Sequence, residues 1–317
     1  MKSFSNLKNK NILITGITGF IGSNLSKKLT EIGANVFGIS RSNQNDYIEK
    51  IDLQNLEELD RYMKEKKITI CFHLAGESIV ESGQKHPHNT FQSNILSTLN
   101  ILETAKINNL EKIIISSSAH VYGKHTPPCT ELDIPKPSRP YETSKLCADL
   151  ISQSYATTYG LPIFIPRFVN VYGPGDANIS RLIPNTINSI LLDKNPTMWG
   201  GKALRDYIYI DDVVSAYLHL ACANKNIAGN KIIFNFGSNN IVSVSEVITT
   251  LIDVSGKNLK IVRIPSNRDN EITKQYVSWD KANKLLGWSP NVSLDKGLAL
   301  TYQWYKNQII KKEKDGK

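Results

Sequence analysis

The stretch "NILITGITGFIG" (Asn11–Gly22) decides the fold. Its first half, Asn11–Thr15, is a short apolar run of the kind that forms a buried strand. The second half places Gly16, Gly19 and Gly22 at G-x-x-G-x-x-G spacing, and a helical pattern through Leu25, Leu29 and Ile32 follows. Strand, glycine turn and helix in this order form the context that a dinucleotide-binding fingerprint requires. Gly16 permits the tight turn, Gly19 lets the backbone approach a pyrophosphate at the helix N-terminus, and Gly22 allows close packing of helix on strand. Phe20 and Ile21 lie in the same turn and are expected to line the cofactor site.

Working outward, the second strand, Asn35–Ile39, ends in Ser40-Arg41-Ser42. A carboxylate here would accept hydrogen bonds from a ribose 2′-hydroxyl, whereas Ser40 and Arg41 offer hydroxyl and guanidinium, which suit a 2′-phosphate. NADP(H) is therefore favoured as cofactor, with NAD(H) as the alternative. The alternation continues through "KIDL" (Lys50–Leu53), a helix with Leu56, Leu59 and Met63, a strand at Ile68–Leu74, a long helix around Asn94–Ala105, and a strand at Lys112–Ile115. Regular β–α alternation predicts an α/β fold: a doubly wound parallel sheet of the Rossmann type. Beyond Gly173 the pattern loosens into a smaller C-terminal α/β substrate-binding lobe over the sheet's carboxyl edge. The expected boundaries are 1–170 with about 208–237 for the cofactor domain, and 171–207 with 238–317 for the lobe.

A second informative stretch runs from Ser116 to Lys145. "SSSAHVYG" (Ser116–Gly123) follows the apolar run Ile113–Ile115, and "PYETSK" (Pro140–Lys145) puts a tyrosine and a lysine four residues apart. If Pro140 starts a helix, Tyr141 and Lys145 share one face. A fixed cation favours the phenolate; lowering a tyrosine from pKa ~10 to about 7 takes about 4 kcal/mol of differential interaction.

Composition constrains the rest. The chain has 317 residues, 40% apolar and 21% charged, as in ordinary globular proteins. No apolar run reaches the roughly 20 residues that span a bilayer. The cysteines Cys71, Cys129, Cys147 and Cys222 show no pairing or metal-like spacing, which with the absence of an apolar leader segment implies a cytoplasmic protein without a metal site. The net charge of +9 is scattered rather than gathered into an aromatic-interleaved stripe, so neither nucleic acid nor membrane is an expected partner. A mild positive bias suits anionic small substrates. His73 reads as a satisfied structural histidine.

With these residues placed, the chain resembles the extended short-chain dehydrogenase/reductases, the nucleotide-sugar epimerase/dehydratase/reductase group. The markers are "TGITGFIG", "HLAG" (His73–Gly76), "SSSAHVYG", "PYETSK", "RFVNVYGPGD" (Arg167–Asp176) and "RDYIYIDDV" (Arg205–Val213). The resemblance implies that Tyr141 donates or accepts the proton on a sugar oxygen, that Lys145 lowers its pKa and binds the nicotinamide ribose, and that Ser118 bonds the same sugar oxygen. It places Asp52 and Leu53 near the adenine and Leu74, Ala75 and Gly76 along the cofactor. Asn170, Arg181, Arg205 and Arg268 fall to the nucleotide-diphosphate sugar, arginine being suited to bidentate phosphate binding. It also implies a homodimer formed through the helices around Asn94–Ala105 and Tyr141–Tyr159.

The shared chemistry is reversible oxidation at a sugar carbon, usually C4. Dehydratases need a further acid and base after the active-site serine, where this chain has Ala119 and His120. Ala119 transfers no proton; His120, with an ordinary pKa near ~6.5, is a candidate base. The leading expectation is an NADP(H)-linked 4-keto-sugar reductase. The alternatives are a 4-epimerase, a dehydratase using His120, and a non-enzymatic NADP-sensing scaffold.

Overall fold

A strand covered on both faces is apolar at consecutive positions, and β1 (Asn11–Thr15) is: Ile12, Leu13 and Ile14 are all fully buried. Neighbouring positions feed separate cores. Ile12, Ile14, Ile70, Phe72, Ile114 and Phe164 point to one face of the sheet, and Leu13, Cys71, Ile113, Ile115, Ile163 and Ile165 to the other.

The computed structural model describes residues 4–41, 47–224, 232–265 and 272–315. After β1 come α1 (Phe20–Ile32), β2 (Asn35–Ser40), β3 (Ile48–Lys50), α2 (Leu56–Glu65) and β4 (Ile70–His73). Two short helices, α3 (Val80–Lys85) and α4 (Pro87–Phe91), lead through a π-helical turn at Gln92–Leu96 into α5 (Ser97–Ile107). β5 (Lys112–Ile115), β6 (Ser117–Ser118) and a 3-10 turn at Ala119–Tyr122 precede the long α6 (Pro140–Tyr159). Then follow β7 (Ile163–Phe168), β8 (Asn170–Tyr172), α7 (Leu182–Leu191), β9 (Thr197–Trp199), β10 (Leu204–Tyr209) and α8 (Ile210–Ala221). The remainder is β11 (Ile233–Phe236), β12 (Ile241–Ser243), α9 (Val244–Ser255), β13 (Val262–Ile264), β14 (Lys274–Gln275), α10 (Asp280–Leu286) and α11 (Leu294–Asp315).

The main sheet is parallel throughout, in the order β11-β7-β5-β4-β1-β2-β3, with β6 also pairing β7. Strand order reverses between β1 and β4, which opens a crevice at their carboxyl ends. The glycine turn after β1 and the His73–Gly76 segment after β4 flank it. A smaller sheet, β12-β10-β14 with β8 beside β10, and the β9–β13 pair lie in the second half, where α9 packs against α7 and α11. β10 belongs to the small sheet, yet α8, which follows without a break, packs against α1 and β5 of the main body.

The helix anticipated around Asn94–Ala105 is present and runs without a break from α4 into α5, with a π-helical turn at Gln92–Leu96 in which Asn94 is turned inward and buried. Among the described residues, no helix is long and apolar enough to cross a membrane, no group of side chains could hold a metal ion, and all four cysteines are free thiols.

Candidate active site

Every nominated site residue that the structure describes lines one cleft of about 950 Å³ at the carboxyl end of the sheet. It brings together Gly16, Gly19, Phe20, Ile21, Gly22, Ser40, Arg41, Asp52, Leu53, Leu74, Ala75 and Gly76. At the other end stand Ser118, His120, Tyr141, Lys145, Asn170, Arg181 and Arg205. Arg268 and Ser42 lie outside the described residues.

The glycine turn fits a dinucleotide. Gly16 has φ 71°, and a side-chain carbon there would stand 2.9 Å from the Ala75 nitrogen. A methyl group at Gly22 would be 2.2 Å from the Gly16 carbonyl oxygen, so the close approach of α1 to the turn requires glycine. α1 begins after Gly19 with no side chain capping its first amides and no acid in its first turn. Its unpaired N–H groups and positive dipole end are thus left for an anion such as a pyrophosphate.

Below the turn, a directional hydrogen-bond chain ties the two flanks of the crevice together. The Leu74 and Ala75 N–H groups donate to Thr15 Oγ1, both at 3.2 Å, leaving that hydroxyl to donate to His73 Nδ1 at 2.8 Å. His73 Nε2–H then faces Thr98 Oγ1 at 3.2 Å, and Thr98 donates to the Asn94 carbonyl at 2.7 Å. Burial drives His73 to a pKa of about 3, so it is a neutral, fully partnered structural histidine. Asn94 continues inward. Its Oδ1 accepts from the Glu77 N–H at 2.7 Å, and its Nδ2 donates to Ser144 Oγ at 2.8 Å. Ser144 in turn donates to the Tyr141 carbonyl at 2.8 Å.

α6 presents Tyr141 and Lys145 on one face, as the four-residue spacing requires, and both are buried. Lys145 Nζ donates to the Ser116 carbonyl at 3.1 Å, and burial lowers its pKa to about 8. Tyr141 shares a hydrogen bond with Ser118; burial raises its pKa above the usual value, Ser118 and Arg181 oppose the rise, and Glu77 and Glu142 add to it. In the protein alone the phenol is therefore protonated at neutral pH. Burial likewise keeps the neighbouring His120 neutral, opposed by Glu142 and assisted by Arg205 and Arg139. The His120 and Tyr141 rings meet edge-on at 6.1 Å, and His120 Nδ1 is buried without a hydrogen-bond partner.

The sequence reading did not single out Arg139, Glu77, Asn94 or the half-exposed Trp199, although Arg139 and Trp199 line the cleft. A basic residue directly before the helix-starting Pro140 was a visible signal; the inward turn of Asn94 depends on a π-helical turn that periodicity does not reveal.

A parallel sheet with a dinucleotide turn at its switch point and a serine–tyrosine–lysine set at the end of β6 and start of α6 defines an extended short-chain dehydrogenase/reductase. The NAD dependent epimerase/dehydratase family model matches residues 12–237, and the chain belongs to that family. The UDP-glucuronate 4-epimerase of Thermodesulfobacterium geofontis is 31% identical, covering 94% of this chain and 96% of its own. The dTDP-D-glucose 4,6-dehydratase of Dictyostelium discoideum is 29% identical over 93% of this chain and 81% of its own. The crystal structure of the Bacillus cereus UDP-glucuronic acid 4-epimerase with UDP-glucuronic acid and NAD superposes with a TM-score of 0.86 at 29% identity, covering 94% of this chain and 99% of the other. These relatives are nucleotide-sugar epimerases and dehydratases; a reductase is not among these three.

Proposed function

We propose that this protein is a nucleotide-sugar 4-epimerase that retains NAD(H). The observation that supports this reading is the proton inventory around Ser118. One phenol, Tyr141, bonds that serine, and the adjacent position is Ala119, buried and without a titratable group. Epimerisation needs one group that removes and returns a proton, whereas elimination of water needs a further acid and base. When bound, the nicotinamide supplies reversible hydride exchange at C4. Ser118 and Tyr141 hold the sugar oxygen, Tyr141 takes its proton as the ketone forms and returns it afterwards, and Lys145 holds the nicotinamide ribose. Gly16, Gly19, Phe20, Ile21 and Gly22 cradle the pyrophosphate, with Asp52 and Leu53 at the adenine and Leu74, Ala75 and Gly76 along the cofactor. Asn170, Arg181 and Arg205 face the sugar diphosphate, which we take to be a UDP-sugar.

We assign residues 1–170 with about 208–237 to the cofactor and 171–207 with 238–317 to the nucleotide sugar, since the cleft is lined from both parts. Exposed Leu150 and Tyr159 on α6 and Ile107 at the end of α5 support a homodimer through these helices. The free thiols are consistent with a cytoplasmic site of action.

A second reading, the NADP(H)-linked 4-keto-sugar reductase, is favoured by one observation. The exposed Arg41, at the cleft wall beyond β2, stands where many NAD-binding chains carry an acid. Mass spectrometry and NMR on UDP-, GDP-, CDP- and dTDP-sugars and their 4-keto-6-deoxy forms, with and without NADPH, separate the possibilities. Unchanged mass with inverted C4 is the expected result; gain of two hydrogens would establish the reductase, and loss of water a dehydratase using His120.

A further inference from the structure

Between β8 and α7 the chain runs through Gly173–Arg181, and this loop is tied to both flanks of the cofactor crevice. On the α1 flank, Asn24 Nδ2 donates to the Pro174 carbonyl at 3.2 Å. Gly175, at φ 96°, lies so close that a side-chain carbon there would stand 3.2 Å from Asn24 Nδ2 and 3.7 Å from the Phe20 ring. On the β4 flank, Arg181 donates from one terminal nitrogen to Ser78 Oγ at 3.2 Å and from the other to Asp176 Oδ2 at 3.1 Å. Phe20 opens α1 after the glycine turn, and Ser78 follows Gly76 in the segment after β4. The loop therefore joins the two edges of the crevice where strand order reverses, and Phe20, Ser78, Asp176 and Arg181 all line the cleft.

The position of Arg181 has no local reason. It is the N-cap residue of α7, where a short hydroxyl or carboxylate is preferred and a cation is disfavoured, and its side chain makes no cap. Local rules broken in this way mark functional positions. The side chain instead leaves its helix and is aimed by Asp176, which is 3% exposed and whose main-chain carbonyl accepts a hydrogen bond from Tyr305 of α11. A buried carboxylate thus directs the guanidinium onto a hydroxyl 103 residues away in sequence. Tyr141, whose pKa is raised chiefly by burial, is within reach of the Arg181 charge, so this bridge stands near the reacting end.

We propose that Gly173–Arg181 is a strap over the bound dinucleotide, latched by Arg181 on Ser78, and that this latch sets how slowly the cofactor enters and leaves. The inference rests on the retained-NAD(H) reading above. An epimerase must keep the hydride it takes from C4 until it returns it, and NADH that escapes in mid-cycle strands a ketone. The bonds of the strap join protein to protein and are made beside the cofactor rather than to it. They therefore slow passage in both directions and leave affinity nearly unchanged. With 32% of the Arg181 side chain exposed, the latch has the strength of a surface pair and can open.

Cofactor exchange tests this. Release is followed as loss of bound-NADH fluorescence after the NADH-loaded protein is mixed with excess NAD⁺, and entry by mixing NADH with cofactor-stripped protein. Ser78→Ala is expected to speed both by about fivefold, the effect of losing one partly exposed charged hydrogen bond, with Kd nearly constant. Tyr305→Phe, which frees Asp176 from behind, is expected to act in the same direction. Ser78→Thr, which keeps the hydroxyl, is expected to retain slow exchange. Unchanged release in both Ser78→Ala and Tyr305→Phe overturns the inference. A weaker affinity with an unchanged entry rate also overturns it, since Ser78 would then touch the cofactor itself. Loss of NADH from the unaltered protein on gel filtration overturns the retained-cofactor reading and this inference with it.

Discussion

Helix α6 carries two buried polar clusters about two turns apart. At its start, Tyr141 and Lys145 have their titration displaced by burial, and His120 leaves Nδ1 unpaired. Farther along, Asp149 and Arg167 are at least as buried, at 0% and 2% exposure, and everything around them is matched. Arg167 Nε donates to Asp149 Oδ2 at 2.9 Å, Ser117 Oγ donates to the same oxygen at 3.2 Å, and Gln153 donates to Oδ1 at 2.7 Å. Arg167 also donates to Tyr122 Oη at 3.0 Å, and the Tyr122 hydroxyl donates to Asn235 Oδ1 at 2.8 Å. Buried polar groups are ordinarily satisfied, so the matched cluster reads as structure and the unmatched one as a place prepared for something else.

The strongest way to break that contrast is Tyr141→Phe. Turnover is expected to fall by about 10²–10⁴, the range for loss of a general acid–base group, with thermal stability unchanged. Near-normal steady-state rates in a folded variant would remove Tyr141 from the mechanism. Asp149→Asn is the mirror experiment. It strands a buried guanidinium, and urea denaturation is expected to show a loss of about 3–5 kcal/mol; a loss below about 1 kcal/mol would show that the matched cluster is dispensable.

His73 sharpens the comparison through pH. Its folded pKa of about 3 lies below the ordinary 6.5, so the unfolded chain binds the extra proton between those values. The protein therefore loses stability as pH falls from 6.5 towards 3, by up to about 1.4 kcal/mol per pH unit from this residue. His73→Gln is expected to flatten the urea midpoint against pH in that window. An unchanged slope would contradict the assignment. The smallest effect is expected at the exposed Arg41. Arg41→Ala should weaken NADPH binding by about tenfold, as loss of one charge-assisted phosphate contact does, and leave NADH nearly unaffected; fluorescence titration reads both.

Much of this architecture is legible in the chain because consecutive apolar positions in β1, β4 and β5 announce strands covered on both faces, and glycines at 16, 19 and 22 announce the turn. Ser243 and Glu246 mark the start of α9 with the reciprocal capping pair seen in the structure. The strands of two or three residues, such as β6, β9 and β14, are too short for any period to show. The tie from Thr15 through His73 and Thr98 to Asn94 is also hidden, since it joins residues distant in sequence through side chains whose partners only folding supplies. Arg139 is hidden for a different reason: it stands one residue outside the motif, which begins at Pro140.

The passage of β10 into α8 has a consequence for how the molecule can be divided. A cut just before β10 removes α8 and β11, and with them the cover under α1 and the last strand beside β7. A cut just after β11 keeps the main sheet whole but separates β10 from β12 and β14. Among the described residues there is accordingly no single point of scission that yields two intact sheets. Partial proteolysis is expected to destroy the protein rather than release a cofactor-binding fragment.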